Sequence, residues 1–252
     1  MKFIDPHVHF NLEPLSKNFE FYYNKSKEEG VDKFINIGID YETSLLAIEQ
    51  AKQKEDIYIA VGYHPHDSEK YNKDKLISLL NEPKVIAIGE IGLDYYRNYS
   101  TKNIQLKAFE EQLKIAIEYD KYVIIHTREA TKDTWEILNK YKDKLKGGIL
   151  HCFAGDVDFA LDLIKSDFKV AVCGNITYNK KLQKAVLSIP IESLIIETDS
   201  PFLTPEPIRK KNRVNYSGNL LYTLKFLADL LKIEEEKLAD ILYKNTLQFF
   251  LN

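Results

Sequence analysis

Two histidines separated by one residue stand near the start of the chain, in Asp5-Pro6-His7-Val8-His9. In an extended strand side chains alternate between faces, so imidazoles at i and i+2 leave the backbone in the same direction. Two imidazoles converging from one segment make half of a transition-metal site. The alternative is a pair of hydrogen-bonded histidines in a loop, and the remaining histidines decide between the two. All six in the chain fall at or just past the end of a β-rich apolar run: His7 and His9, His64 and His66, His126, and His151. Glu90 and Asp199 share that placement. Structural histidines would scatter over helices and loops, whereas convergence on strand ends is how barrel enzymes assemble a site. Four histidines with two carboxylates exceed what one tetrahedral ion needs and suit two ions about 3.5–4 Å apart, sharing a carboxylate and a hydroxide. Glu90, on the strand between the two groups of histidines, is the natural bridge. Asp199 is expected to bind one ion and to take the proton from the attacking water.

The elements that must carry these residues repeat about every thirty positions as an apolar run, a loop and an amphipathic helix. The pattern predicts strands at 2–7, 33–38, 57–62, 84–91, 122–126, 147–151, 169–173 and 192–197. Most are apolar nearly throughout, as strands covered on both faces are. Helices are predicted at 15–29, 41–53, 72–81, 104–119, 129–143, 157–166, 180–188 and 218–232, with a final one at 235–250. In 104–119, Leu106, Phe109, Leu113, Ala116 and Ile117 recur at three- and four-residue steps behind Ser100-Thr101, the expected caps. No Gly/Ser linker or low-complexity block interrupts the repeat. The expected architecture is α/β, a single (β/α)8 TIM barrel forming one domain over residues 1–252 with a C-terminal extra helix. A doubly wound open sheet is the rival, but no Gly-X-Gly-X-X-Gly turn follows the first strand.

At 252 residues with 44% hydrophobic side chains, the chain is large enough to bury one sizeable core. No apolar stretch approaches the ~18–20 residues of a membrane span. The first strand starts at Lys2, and a cleaved leader would remove His7 and His9, so a cytoplasmic address is expected. Cys152 and Cys173 lie in apolar stretches and read as small core residues in a reducing compartment, rather than as ligands or a redox pair. A net charge of -3 and a pI near 6.1 argue against nonspecific coating of nucleic acid. They leave room for a nucleic-acid enzyme whose positive charge is local.

Five ordered stretches then resemble a known family. They are Asp5-Pro-His-Val-His9, Gly89-Glu-Ile-Gly-Leu-Asp-Tyr-Tyr-Arg97, Ile125-His-Thr-Arg-Glu-Ala130, His151-Cys-Phe-Ala-Gly155 and Glu197-Thr-Asp-Ser-Pro-Phe-Leu203. With the helix Gln105–Leu113 and the terminal Asn245–Phe249, they look like the motifs of the TatD family, metal-dependent deoxyribonucleases of the amidohydrolase superfamily. The resemblance implies a TIM barrel and hydrolysis of DNA phosphodiester bonds as a 3′-5′ exonuclease, through a hydroxide bridging two metals. It places His7, His9 and Asp199 on one divalent ion and His126 and His151 on the other, with Glu90 bridging. Zn, Mn, Ni, Co and Mg all suit such ligands. Single-stranded DNA or 3′ ends are the implied substrate. D-aminoacyl-tRNA, or a small-molecule ester or amide, is the alternative, since some relatives deacylate mischarged tRNA. A non-catalytic scaffold would show damaged ligands, and none is damaged.

Around the ligands, His64 is expected to contact the scissile phosphate or protonate the leaving oxygen, and His66 to be structural. Asp94 is a candidate to fix a ligand or loop by hydrogen bonding. Tyr95 and Tyr96 stand open between loop packing and stacking on a base. Arg97 and Arg128 leave the same rim and are expected to pair with phosphates, with surface ion pairing as the alternative. Arg209, Lys210, Lys211 and Arg213 form a basic loop after the last strand, expected to bind the nucleic-acid backbone. Arg209 and Lys211 match the family's Arg-Gly-Lys-Arg-Asn-Glu-Pro stretch, but its glycine, glutamate and proline are absent from Arg209–Asn215. Asn11 stands where the family often has an acid. These departures bear on strand preference rather than on hydrolysis. A monomer is expected.

Overall fold

The apolar runs become strands, described here from a computed structural model that covers residues 1–97 and 99–250. Among the described residues the strands are β1 Phe3–Val8, β2 Val31–Ile37, β3 Ile57–Val61, β4 Val85–Asp94, β5 Tyr122–Arg128, β6 Gly148–Leu150, β7 Phe168–Val172 and β8 Leu194–Ile196. The helices are α1 Phe19–Glu28, α2 Tyr41–Lys52, α3 Lys73–Leu79, α4 Lys102–Glu118, α5 Thr131–Tyr141, α6 Val157–Ile164, α7 Lys180–Val186, α8 Leu220–Leu231 and α9 Glu235–Phe250. The sheet order is β1-β2-β3-β4-β5-β6-β7-β8, without the reversal that a doubly wound sheet has at its switch point. This is the (β/α)8 class expected, with α9 as the C-terminal helix. No helix among the described residues is long and apolar enough to cross a membrane.

Two local expectations change. Strand β4 runs to Asp94, three residues past its predicted end at 91, because Gly92 permits the passage. Its φ of +141° is hard for any side chain, and a Cβ there would lie 2.0 Å from the carbonyl oxygen of His126. The predicted cap of α4 is also different. Thr101 occupies the cap position without a side-chain cap bond, and the Ser100 hydroxyl donates instead to the His66 carbonyl at 3.0 Å.

The chain divides into two compact units. One comprises Met1–Asn36, Cys152–Val157 and Val170–Asn252, the other Ile37–His151 and Asp158–Lys169. In the first, β1 pairs with β2 and β7 with β8, all parallel. The end of β1 joins the segment after β8 through Asp199 N–H to His7 O, 3.0 Å, and His9 N–H to Ser200 O, 2.8 Å. Helix α9 packs on β1, β8 and α8 and buries Leu238 and Leu242. Each such side chain contributes about 1.5–3 kcal/mol relative to exposure. The Asn245 amide donates to the carbonyls of Ile191 and Leu194, 2.7 and 2.8 Å, tying α9 to the entrance of β8.

In the second unit β3, β4, β5 and β6 pair in sequence, all parallel. Helix α4 packs on β4 and brings two buried glutamines to backbone that leaves the ladder. The Gln112 amide accepts from Tyr63 N–H at 2.8 Å and donates to Tyr63 O at 3.1 Å. Gln105 does the same for Asp94, 2.9 and 3.0 Å. A buried peptide without a ladder partner must be satisfied by a side chain, and both glutamines do this beside site residues.

Candidate metal centre

In the first unit, His7 and His9 leave the end of β1 on one face, as alternation requires, and their Nε2 atoms are 3.2 Å apart. Asp199 Oδ1 lies 3.7 Å from His7 Nε2 and 3.5 Å from His9 Nε2. Donors sharing a tetrahedral ion at about 2.0–2.1 Å are separated by roughly 3.3–3.4 Å, so the three atoms fit one ion. Asp199 adopts φ +55°, a left-handed conformation that aspartate tolerates better than most residues.

A buried carboxylate the sequence reading passed over, Asp5, fixes this triangle. It accepts from Thr198 N–H at 3.1 Å, from the Thr198 hydroxyl at 2.6 Å and from His7 N–H at 3.3 Å. Burial pushes its pKa up to about 6, against the pull of these hydrogen bonds. Its signal was available, since Asp5, His7 and His9 are successive residues of one strand face. Glu197 was also missed. It is fully buried and accepts from Cys152 N–H at 2.7 Å and from Cys173 Sγ–H at 3.1 Å, with its other oxygen 3.9 Å from His7 Nδ1. Cys173 is buried, and burial holds its thiol well above its ordinary pKa, in keeping with a core role.

In the second unit, Glu90 Oε1 is the hub. His126 Nδ1 lies 2.7 Å from it, His151 Nε2 3.6 Å and His64 Nε2 3.7 Å. On its far side His126 Nε2 is 3.1 Å from Asp94 Oδ2, and His66 Nε2 is 3.0 Å from the same oxygen. A carboxylate only accepts, so His126 carries a proton on Nε2, and Nδ1 presents its lone pair to Glu90. Two acceptors 2.7 Å apart need a proton or a cation between them. Without a cation the proton stays: burial alone would lower His126, but the hydrogen bonds to Asp94 and Glu90 raise it to about 9. A ligand imidazole braced from behind by a carboxylate is a recurrent metal arrangement. The ligand atoms that come within 4.8 Å of one another here are those of His64, Glu90 and His126, donor types that suit an ion, with His151 Nε2 3.6 Å from Glu90.

His64 is built differently. Its Nδ1 accepts the His66 backbone N–H at 3.1 Å, and burial drives its pKa well below the ordinary value, with Glu90 opposing. As a neutral imidazole whose Nδ1 accepts, it carries its proton on Nε2, 3.7 Å from Glu90 Oε1. His66 braces the group from Asp94, and Asp94 takes the orienting part expected of it.

The rim residues separate. The Tyr95 hydroxyl donates to Asp133 at 2.7 Å, so this ring packs, while Tyr96 stays largely exposed under the Arg128 guanidinium, 3.7 Å from the ring centre. Arg97 donates to the Tyr99 hydroxyl at 3.3 Å. Tyr99 went unnoticed in the sequence, although it is the third tyrosine of the same loop. In the first unit Arg209 lies 4.1 Å over the Tyr178 ring and Lys211 is exposed, while Phe202, 51% exposed, meets the His9 ring edge-on at 6.1 Å. Asn215 is buried and donates to Thr198 O at 3.0 Å, anchoring the basic loop to the segment bearing Asp199.

Parallel strands in sequence order, with imidazole and carboxylate donors grouped at their C-terminal ends, define a metal-dependent hydrolase. The family described as TatD related DNase matches residues 4–251. The uncharacterized metal-dependent hydrolase YabD of Bacillus subtilis is 36% identical over 252 residues, covering 98% of each chain. The 3′-5′ ssDNA/RNA exonuclease TatD of Salmonella typhimurium is 34% identical over 203 residues, 76% of this chain and 78% of its own. The crystal structure of YJJV, a TatD homolog from Escherichia coli K12, matches with a TM-score of 0.90 at 28% identity, covering 98% of this chain and 97% of that one. The chain belongs to the TatD family.

Proposed function

We propose that this single-domain chain is a cytoplasmic phosphodiesterase that shortens DNA from its 3′ end, using two divalent ions drawn from Zn, Mn, Ni, Co or Mg. His7, His9 and Asp199 would hold one ion, His126 and His151 the other, and Glu90 would be shared by both. The observation carrying the reading is that Nε2 of His7, Nε2 of His9 and one Asp199 oxygen lie 3.2, 3.7 and 3.5 Å from one another, the spacing of donors around one ion. The TatD relative from Salmonella, named as a 3′-5′ exonuclease on ssDNA and RNA, supports it.

When bound, the two ions supply a water acidified toward neutral pH and positive charge against a phosphoryl oxygen. Asp199 accepts the proton released as phosphorus is attacked in line with the departing O3′. His64 donates a hydrogen bond from Nε2 to the phosphate or to the charge developing on that leaving oxygen, which takes its proton from solvent water. Asp94 holds the His126 ring and Asp5 the backbone of His7, so neither needs to reorganise during turnover. Arg97, Arg128, Arg209 and Lys211 are assigned to the phosphates flanking the cleaved bond.

The test is digestion of end-labelled single-stranded oligonucleotides with each metal, a chelator control, and D-aminoacyl-tRNA assayed in parallel. Ladders shortening from the 3′ end, abolished by chelator, are expected. Turnover of the aminoacyl ester alone would replace the phosphodiesterase reading with a deacylase.

A further inference from the structure

The loop after β4 exposes two aromatic rings beside the histidine cluster. Tyr96 is 54% exposed and Tyr99 is 63% exposed, large areas for rings that a folded chain normally covers. Each has a guanidinium against it: Arg128 lies 3.7 Å from the centre of the Tyr96 ring, and Arg97 donates to the Tyr99 hydroxyl at 3.3 Å. Tyr95, next in line, shows what a purely structural ring does here. Its hydroxyl bonds Asp133, and Lys102 lies over its face at 4.8 Å.

The two exposed rings are held in register with the chemistry. Asp94 Oδ1 accepts from the backbone N–H groups of both Tyr96 and Arg97, each at 3.0 Å, while Oδ2 of the same carboxylate faces His126 and His66. The His66 ring meets Tyr99 edge-on, 4.9 Å between centres, and meets His64 at 4.4 Å. Tyr99 is therefore one ring removed from His64.

We propose that Tyr96 and Tyr99 form a base-stacking platform that sets this enzyme's preference for unpaired strands. The inference rests on the phosphodiesterase reading and adds the group that reads the nucleobase. A ring stacks on any base whose face is free, which makes such contacts tolerant of sequence. In a duplex those faces are already stacked, and exposing one costs a few kcal/mol. Arg97 and Arg128 place positive charge where the phosphates joining stacked nucleotides would pass. Phosphate contacts alone would position a strand without separating single-stranded from paired DNA.

The test compares three substrates on the manganese-loaded, full-length protein. They are a single-stranded oligothymidylate, the same strand in a blunt duplex, and the same strand with abasic residues at its three 3′-terminal positions. Tyr96→Ala and Tyr99→Ala are each expected to raise KM on the single strand about tenfold, with kcat within about twofold. KM on the abasic strand should stay unchanged, and Tyr96→Phe and Tyr99→Phe should retain wild-type values. An equal loss on the abasic strand would mean the substitutions disturb the loop, and would overturn the platform. An unchanged preference for single strand over duplex in both alanine variants would also overturn it. If the wild type cleaves every strand without discrimination, the platform falls and the phosphodiesterase reading stands. If it cleaves none, both fall.

Discussion

Between about pH 7 and 8.5 the affinity of the metal-free protein for a divalent ion should climb about tenfold per pH unit, because a proton and the ion compete for Nδ1 of His126. Burial disfavours the imidazolium, but the hydrogen bonds to Asp94 and Glu90 outweigh it and hold His126 near a pKa of about 9. Removing that proton at pH 7 costs about 2.7 kcal/mol, so apparent affinity there lies roughly a hundredfold below its value above pH 9. The stability linkage has a definite sign. A folded pKa raised above the ordinary 6.5 contributes stability that is complete below about pH 6.5 and lost as pH rises through 9. The metal-free protein should therefore lose up to about 3 kcal/mol over that window, while the metal-loaded protein should not. Asp94→Asn removes one of the two charges holding the proton. It should flatten the pH slope and lower the plateau affinity about ten- to hundredfold. Manganese titration against a chromophoric chelator at several pH values, with thermal melts of the metal-free protein, reads both quantities. A wild-type affinity that is flat with pH, or an Asp94→Asn variant with the wild-type slope and plateau, would refute the assignment of the proton to His126.

Three further outcomes follow from single contacts. Asp199→Asn should cut kcat about 10²–10⁴-fold with a melting temperature within a few degrees of wild type, and a near-wild-type rate would remove Asp199 from proton transfer. Gly92→Ala should be severely destabilised, by about 3 kcal/mol or more, because its Cβ would lie 2.0 Å from the His126 carbonyl oxygen at a φ of +141°. Denaturant unfolding checks it, and a loss under about 1 kcal/mol would mean the β4 backbone relaxes freely. Asn245→Ala loses two hydrogen bonds to the carbonyls of Ile191 and Leu194 and should cost about 1–3 kcal/mol, with room-temperature activity retained. A coincident melt and a lowered rate would contradict that separation.

The alternation of apolar strands with amphipathic helices, and the placement of every histidine at a strand end, were legible in the sequence because both are short-range patterns. Side chains at i and i+2 share a strand face and those at i, i+3 and i+4 share a helix face, whatever the rest of the chain does. That was enough for the (β/α)8 class and for the grouping of His7 with His9. What tertiary structure alone decided depends on partners far apart in the chain. Gln112 reaches back 49 residues to satisfy Tyr63, the neighbour of His64. Asp5 bonds Thr198 across 193 residues and so fixes the segment that carries Asp199. His64 and His126 are the same residue type at similar strand ends, yet burial holds His64 well below the ordinary histidine pKa while hydrogen bonds to Asp94 and Glu90 raise His126 to about 9. Neither the burial nor those partners leave a periodic trace in the sequence.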